Sequence, residues 1–285
     1  MNLFLVIGAM KSGTTTLYHD LPQVPGIETN PTKEPNLFTV NRPQAKIAND
    51  VKRFIGRRVG WVGDFSTSYT MDIVDTGIAA RARQILPKET PIFYLVRNPL
   101  ERAVSHHHHW LARGMATADV DHELLTRPEY QAASSYASQA RRWRKAFGQD
   151  AVQVIVFEDF VSNRYETVSS IANRLRLDPP ACLEVGTYNA RGGGDRVATG
   201  LAGRLVSSRQ YQLLGRRLIP QALRSRVGQA LTTSAPPRPR PTVGALSVLA
   251  ERLSPEIAAL VEDEAWVGPP WDLVETIRRL TEDQS

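Results

Sequence analysis

An α/β domain, a parallel sheet flanked by helices with a helical C-terminal region, is the fold class that the 285-residue sequence predicts. Three observations carry that expectation. Apolar runs at residues 3–7, 92–96 and 152–157, the first two unbroken and the third interrupted only by Gln153, suit strands buried on both faces, because a sheet with one wet face would alternate. Stretches with helical spacing separate these runs, and strands alternating with helices imply a parallel sheet with covered faces. After Arg191 the alternation stops and the composition changes.

Taken in order, residues 3–7 form the first strand, and the turn 8–16 leads into a helix marked by Leu17, Tyr18 and Leu21. Ile27 and Glu28 make a short strand ahead of the polar loop 29–36, and residues 58–64 make another. A helix over 78–86 precedes the strand 91–97, which Asn98 and Pro99 end, and a helix over 101–113 continues the chain. Helical spacing returns over 136–147, followed by the strand 152–157 and a helix over 164–177. Gly192, Gly193 and Gly194 predict a flexible loop, and residues 199–231 are rich in leucine and arginine without an acidic residue. Residues 236–241 read as a proline and arginine linker, and 243–280 as two helices around the turn Gly268, Pro269, Pro270, Trp271. The expected organisation is a core over residues 1–190 and, over 191–285, a loop and helical region completing the same domain. There is no internal repeat.

The formal charge of +6 favours anionic partners, among which charge alone does not choose. The single cysteine, Cys182, forbids an internal disulfide and a cysteine-rich zinc site, and is expected to be a small buried side chain in a reducing compartment. Residues 1–9 are apolar but lack a basic leader and are too short for a secretory signal, and no stretch approaches the roughly 20 apolar residues that span a bilayer. A cytoplasmic location is therefore expected.

The turn Gly8-Ala-Met-Lys11-Ser12-Gly13-Thr14-Thr15-Thr16 lies between a buried strand and a helix, where exposed backbone N–H groups make a site for phosphate. Its glycine spacing matches the nucleotide triphosphatase loop, but that motif requires Lys and then Ser or Thr directly after the second glycine. Thr14 and Thr15 stand there instead, and the lysine is inside the loop at Lys11. From that position it can reach a bridging oxygen while Ser12 and the threonines donate hydrogen bonds. Further along, Tyr94-Leu-Val-Arg97-Asn-Pro-Leu-Glu-Arg102-Ala-Val-Ser105 ends a strand and opens a helix. A guanidinium at a strand end offers several fixed donors to a phosphate, and Ser105 adds a hydroxyl from the helix.

Residues 8–16 resemble the 5′-phosphosulfate loop, and residues 94–105 the 3′-phosphate motif, of the sulfotransferase family that uses 3′-phosphoadenosine 5′-phosphosulfate. Weaker resemblances at Ser135, Tyr136, Arg141, Arg142, Trp143 and at Glu158, Asp159, Phe160 extend the similarity over about residues 3 to 190. The resemblance implies the family's sheet flanked by helices, a P-loop-like sulfotransferase fold with residues 1–190 holding the nucleotide and 191–285 covering the acceptor. It implies that Lys11, Ser12, Gly13, Thr14, Thr15, Thr16, Arg97 and Ser105 bind the nucleotide.

Members most like this chain use a glutamate as base in the loop after the second strand. Thr32-Lys33-Glu34-Pro35 matches that place, so Glu34 is implied as base, Lys11 as stabiliser of the bridging oxygen and Lys33 as a supporting cation. An exposed Lys-Glu pair is the bland alternative. Asp64 is a second candidate acid; heparan-type members carry a lysine just after this position, and here Phe65 follows. Residues 188–196, with Tyr188 and Arg191, loosely resemble the basic glycine loop that closes over the nucleotide, although a plain linker fits equally well.

Sulfuryl transfer needs no metal, and the run His106 to His109 offers no carboxylate or cysteine at ligand spacing, so no metal site is expected. The expected reaction moves the sulfuryl group to a hydroxyl, less readily an amine, of a small-molecule, glycan or lipid-like acceptor. No nucleic-acid platform or motif is present, while the basic segment 199–231 permits either peripheral membrane contact or a solvated helical cap. The rival readings are a nucleotide kinase or triphosphatase with an atypical loop and a basic binding protein without transferase activity.

Overall fold

The computed structural model describes residues 2–72, 74, 76–186, 197–198, 232–233, 240–263, 266, 268 and 271–282. Its centre is a parallel sheet of β1 (Leu3–Val6), β2 (Ile27–Glu28), β3 (Trp61–Asp64), β4 (Ile92–Val96) and β5 (Val152–Val156), in the order β2-β3-β1-β4-β5. A separate antiparallel pair joins β6 (Val197–Ala198) to β7 (Thr232–Thr233). The alternate residues of β1 go to opposite faces, as the two-residue period of a strand requires: Leu3 and Leu5 to one apolar cluster, Phe4 and Val6 to another.

The first face is covered by α2 (Gln44–Ile55), α3 (Ile78–Ile85) and α7 (Tyr136–Phe147), which contribute Val51, Ile78 and Trp143 to the cluster. The second is covered by α1 (Thr14–Asp20), α8 (Phe157–Ser162) and α9 (Arg164–Arg174), with Leu17, Phe160 and Ile171 inside. Beyond the sheet, α4 (Pro99–Ala112), α5 (Val120–Thr126) and α6 (Pro128–Ala132) close a third cluster with α10 (Val243–Val261), whose Leu246, Leu249 and Leu253 are fully buried. Leu273 and Ile277 of α11 (Leu273–Glu282) pack against it.

Several boundaries differ from the sequence expectation. The fourth helix starts at Pro99 rather than residue 101, since proline fits the first helical position and Asn98 caps the end by accepting from the Leu100 and Glu101 N–H groups. Phe157 belongs to α8, not to β5. Helix α2 was not expected, although Ile47, Val51 and Phe54 have helical spacing and are all buried. Cys182 is exposed, which corrects the expectation of a buried side chain: it lies in irregular chain after α9 and belongs to none of the three apolar clusters. Among the described residues no helix is long and apolar enough to cross a membrane.

Candidate functional site

The strand order changes direction between β1 and β4: the chain moves from β1 to β2 on one side and later returns to β4 and β5 on the other. Such a switch point leaves a crevice at the carboxyl ends of the strands. Both motif loops start there. The first is stitched to β4, with Ile7 N donating to Phe93 O (3.0 Å) and Leu95 N to Gly8 O (2.9 Å). A Cβ at Gly8 would stand 2.1 Å from Thr70 Oγ1, and one at Gly13 would stand 2.8 Å from the Phe157 ring. Gly13 has φ 85°, and Lys11 itself is held in the left-handed region at φ 71°, a conformation that surrounding structure must impose on a lysine. Ser12 is fully buried, and its Oγ has no hydrogen-bond partner.

Arg97, from the end of β4, reaches the same loop. It donates through Nη1 to Lys11 O (3.3 Å) and through Nη2 to Glu101 Oε2 (2.7 Å), and its guanidinium lies 4.7 Å from the centre of the Phe157 ring. Its Nε is buried without a partner. Tyr136 OH donates to Arg97 O (2.7 Å), Glu158 accepts from Asn98 N (2.9 Å), and Asn98 Nδ2 donates to Thr276 Oγ1 in α11 (2.7 Å). Arg279 of α11 pairs with Glu101. The C-terminal helix thereby braces the strand end that presents Arg97.

Arg102 is the residue that sequence reasoning quoted but gave no role. It is completely buried and faces no carboxylate among the hydrogen bonds it makes, donating to Ser134 Oγ (2.6 Å), Tyr130 O (2.6 Å), His106 Nδ1 (3.2 Å) and, at 3.5 Å, Met10 O. Burial lowers its pKa. It ties α4 and α6 to the residue preceding Lys11. A charged residue at a helix position facing inward is the signal that could have singled it out.

A third group comes from the loop after β2 and the end of β3. Lys33 Nζ lies 2.9 Å from Glu34 Oε1 and 3.3 Å from Thr14 Oγ1, and Thr67 Oγ1 donates to Glu34 Oε2 (3.3 Å). Phe65 N donates to Lys33 O (3.1 Å), which anchors the pair to β3. The side chains of Lys33 and Glu34 remain 20% and 39% exposed, so their ion pair adds little stability and both groups can meet a ligand. Asp64, the second candidate acid, is sealed in. Its carboxylate accepts from Ser66 N (3.0 Å), Ser66 Oγ (2.5 Å) and Tyr69 OH (2.6 Å), and it builds the turn that carries Thr67. Burial, with a smaller contribution from the Glu34 charge, pushes its carboxyl up to about 6.

The structure thus brings Lys11, Ser12, Gly13, Thr14, Lys33, Glu34 and Arg97 together at one crevice. Thr15 and Thr16 follow half-buried in α1, and Ser105 is half-buried in α4. Tyr188, Arg191 and the basic segment 199–231 lie outside the described residues. Among the described residues no three His, Cys, Asp or Glu side chains gather as a metal site would need.

A family model described as the sulfotransferase domain matches residues 2–178. The chain belongs to the sulfotransferase family. The match spans the whole sheet, the glycine turn and the Arg97 strand end, and it stops before α10 and α11. Among solved structures, this sulfotransferase is similar in fold to a sulfotransferase from Alicyclobacillus acidocaldarius, with 24% identity, a TM-score of 0.56, and 66% of this chain and 86% of that one covered. A mouse sulfotransferase, SULT7A1 complexed with PAP, aligns at 18% identity and a TM-score of 0.44, covering 81% of this chain and 87% of its own. No curated protein matches the chain.

Proposed function

We propose that this sulfotransferase uses 3′-phosphoadenosine 5′-phosphosulfate as donor and passes its sulfuryl group to a hydroxyl, less readily an amine, of a small-molecule, glycan or lipid-like acceptor. The observation that carries this reading is a pair of orphaned donors. Ser12 Oγ after β1 and Arg97 Nε after β4 are buried without partners, flanking one crevice. A buried donor left unpaired costs about 1–3 kcal/mol, so the site is built to be completed by acceptor oxygens from outside. A nucleotide with phosphates at both ends of its ribose supplies them.

The roles follow from position. Lys11, with Ser12, Gly13, Thr14, Thr15 and Thr16, holds the 5′ end, and Lys11 meets the bridging oxygen where charge grows as the bond to sulfur breaks. Arg97 and Ser105 hold the 3′-phosphate, with Glu101 keeping the guanidinium aimed until the ligand arrives. Lys33, placed between Thr14 and Glu34, stands beside the sulfuryl oxygens, and Glu34 takes the acceptor proton. Tyr188 and Arg191 are proposed as a cover for the nucleotide, and residues 191–285 as the part of the domain that encloses the acceptor. The segment 199–231 is the proposed site of any membrane contact, with the cytoplasm as the proposed location. The replacement of the triphosphatase lysine and hydroxyl by Thr14 and Thr15 speaks against ATP hydrolysis.

The test is Glu34→Gln. Affinity for the desulfated product should stay at the wild-type level by calorimetry, while transfer of label from radiolabelled donor to pooled lipid, saccharide and phenolic extracts should fall by about 100-fold. Near-normal transfer would reject Glu34 as base, and the fraction that gains label in the wild type identifies the acceptor class.

A further inference from the structure

Positions 278 and 279 of α11 are both arginine, yet the structure gives them different company. Arg278 pairs with Glu275 and Glu282 of its own helix and stays in solvent. Arg279 crosses to α4 and pairs with Glu101. The helix is docked where it can do so: Leu273, Ile277 and Leu280 pack on the third apolar cluster, and buried Thr276 accepts from Asn98 Nδ2 at 2.7 Å.

Glu101 therefore holds one arginine on each carboxylate oxygen. Its Oε2 accepts from Arg97 Nη2 at 2.7 Å, and its Oε1 accepts from Arg279 Nη2. The Nε and Nη2 atoms of a guanidinium share the edge that grips an oxyanion through two parallel bonds. On Arg97 that edge is half taken: Nε is buried without a partner, and Nη2 is the atom that Glu101 holds. Arg97 and Glu101 alone sum to zero charge, and a phosphate approaching the open edge would meet a carboxylate beside it. Arg279 returns the trio to a net charge of about +1. It also gives Glu101 a partner to keep when Arg97 Nη2 turns to phosphate, so that no enclosed carboxylate is left unpaired.

We propose that Arg279 is a positioning residue for the 3′-phosphate: by neutralising Glu101 it leaves the Nε/Nη2 edge of Arg97 available, without touching the nucleotide itself. The inference rests on the donor reading above, in which Arg97 meets that phosphate. It gives α11, which lies beyond the residues 2–178 matched by the family model, a part in nucleotide selection.

The experiment compares 3′-phosphoadenosine 5′-phosphate with adenosine 5′-phosphate, which lacks the 3′-phosphate, on full-length wild type, Arg279→Ala, Arg279→Lys, Glu101→Gln and the Arg279→Ala/Glu101→Gln double variant. Affinities are read by competition with labelled donor. The Arg279 side chain is 49% exposed, so its effect is that of a screened charge: Arg279→Ala should weaken the bisphosphate about fivefold and leave adenosine 5′-phosphate unchanged. Arg279→Lys should recover most of the loss, and Arg278→Ala should change neither affinity. In the Glu101→Gln background, Arg279→Ala should cost nothing further, because no charge remains to be neutralised. A loss that persists in that background would show Arg279 acting on the phosphate directly and overturn the proposal. Equal weakening of both nucleotides, or of neither, would also overturn it, the first by showing only a loosened helix. A wild-type chain that binds the two nucleotides equally would overturn the placing of the 3′-phosphate at Arg97, and the inference with it.

Discussion

The glycine turn after β1 and the Lys33–Glu34 corner serve one crevice but are built in opposite ways. The turn is local and made of backbone: nine consecutive residues that lead from a strand into the first turn of a helix, with Gly13 packed against the Phe157 ring and Lys11 held at positive φ. The corner is made of side chains far apart in sequence: Lys33 and Glu34 from one loop, Thr67 and the Asp64–Tyr69 pair from another, and Thr14 from the turn itself. The first depends on conformations few residues adopt, the second on hydrogen bonds that long-range packing has to assemble. Substitutions in the turn should therefore damage ligand handling and backbone, and those in the corner should separate chemistry from stability.

The largest expected effect is Lys11→Ala. Losing the cation proposed for the bridging oxygen should lower turnover by about 10²–10³. Turnover within a few fold of wild type would place the growing charge elsewhere and dissolve the contrast between the two regions. Gly13→Ala comes next. A side chain at φ 85° and 2.8 Å from the Phe157 ring should cost about 1–3 kcal/mol of stability in denaturant titrations, with weakened nucleotide binding. Unchanged stability would mean that the turn is not held against α8 as described.

In the corner, Tyr69→Phe removes the donor to Asp64 Oδ2 and should cost about 1–3 kcal/mol while leaving nucleotide affinity at its wild-type value. An equal loss of affinity would show that the corner and the turn are one unit. The smallest effect concerns pH. The folded Asp64 carboxyl is raised from 3.8 to about 6, chiefly by burial, so its contribution to stability is full below 3.8 and is lost as pH rises through about 6. Melting temperatures of the Asp64→Asn variant should lack that decline, and a decline of wild-type size would assign it to other groups.

Most of the turn was legible because its information is local: Gly8, Lys11, Ser12, Gly13 and three threonines in a row between an apolar run and a helical one. Arg97 was legible for the same reason, standing where a strand ends before Asn98 and Pro99. The corner was legible only through the family resemblance, since an adjacent lysine and glutamate before a proline are ordinarily surface charges. Nothing local ties Thr67 to Glu34, or Glu158 to Asn98, because those contacts span 33 and 60 positions. Arg102 sat in view within the second motif, but its role depends on what faces it across α4 and α6.

By itself the sequence determined most of the strands and helices, α2 excepted, and the glycine turn between the first of them, since apolar periodicity and glycine placement act over a few residues. The tertiary structure alone decided that the loops after β1 and β4 open onto the same crevice, that α11 braces Arg97 through Thr276 and Arg279, and that Arg102 ties α4 and α6 to the glycine turn. The reason is physical: strand order and side-chain partners are settled by burying all three apolar clusters at once, a condition on the whole chain that no short stretch of it can state.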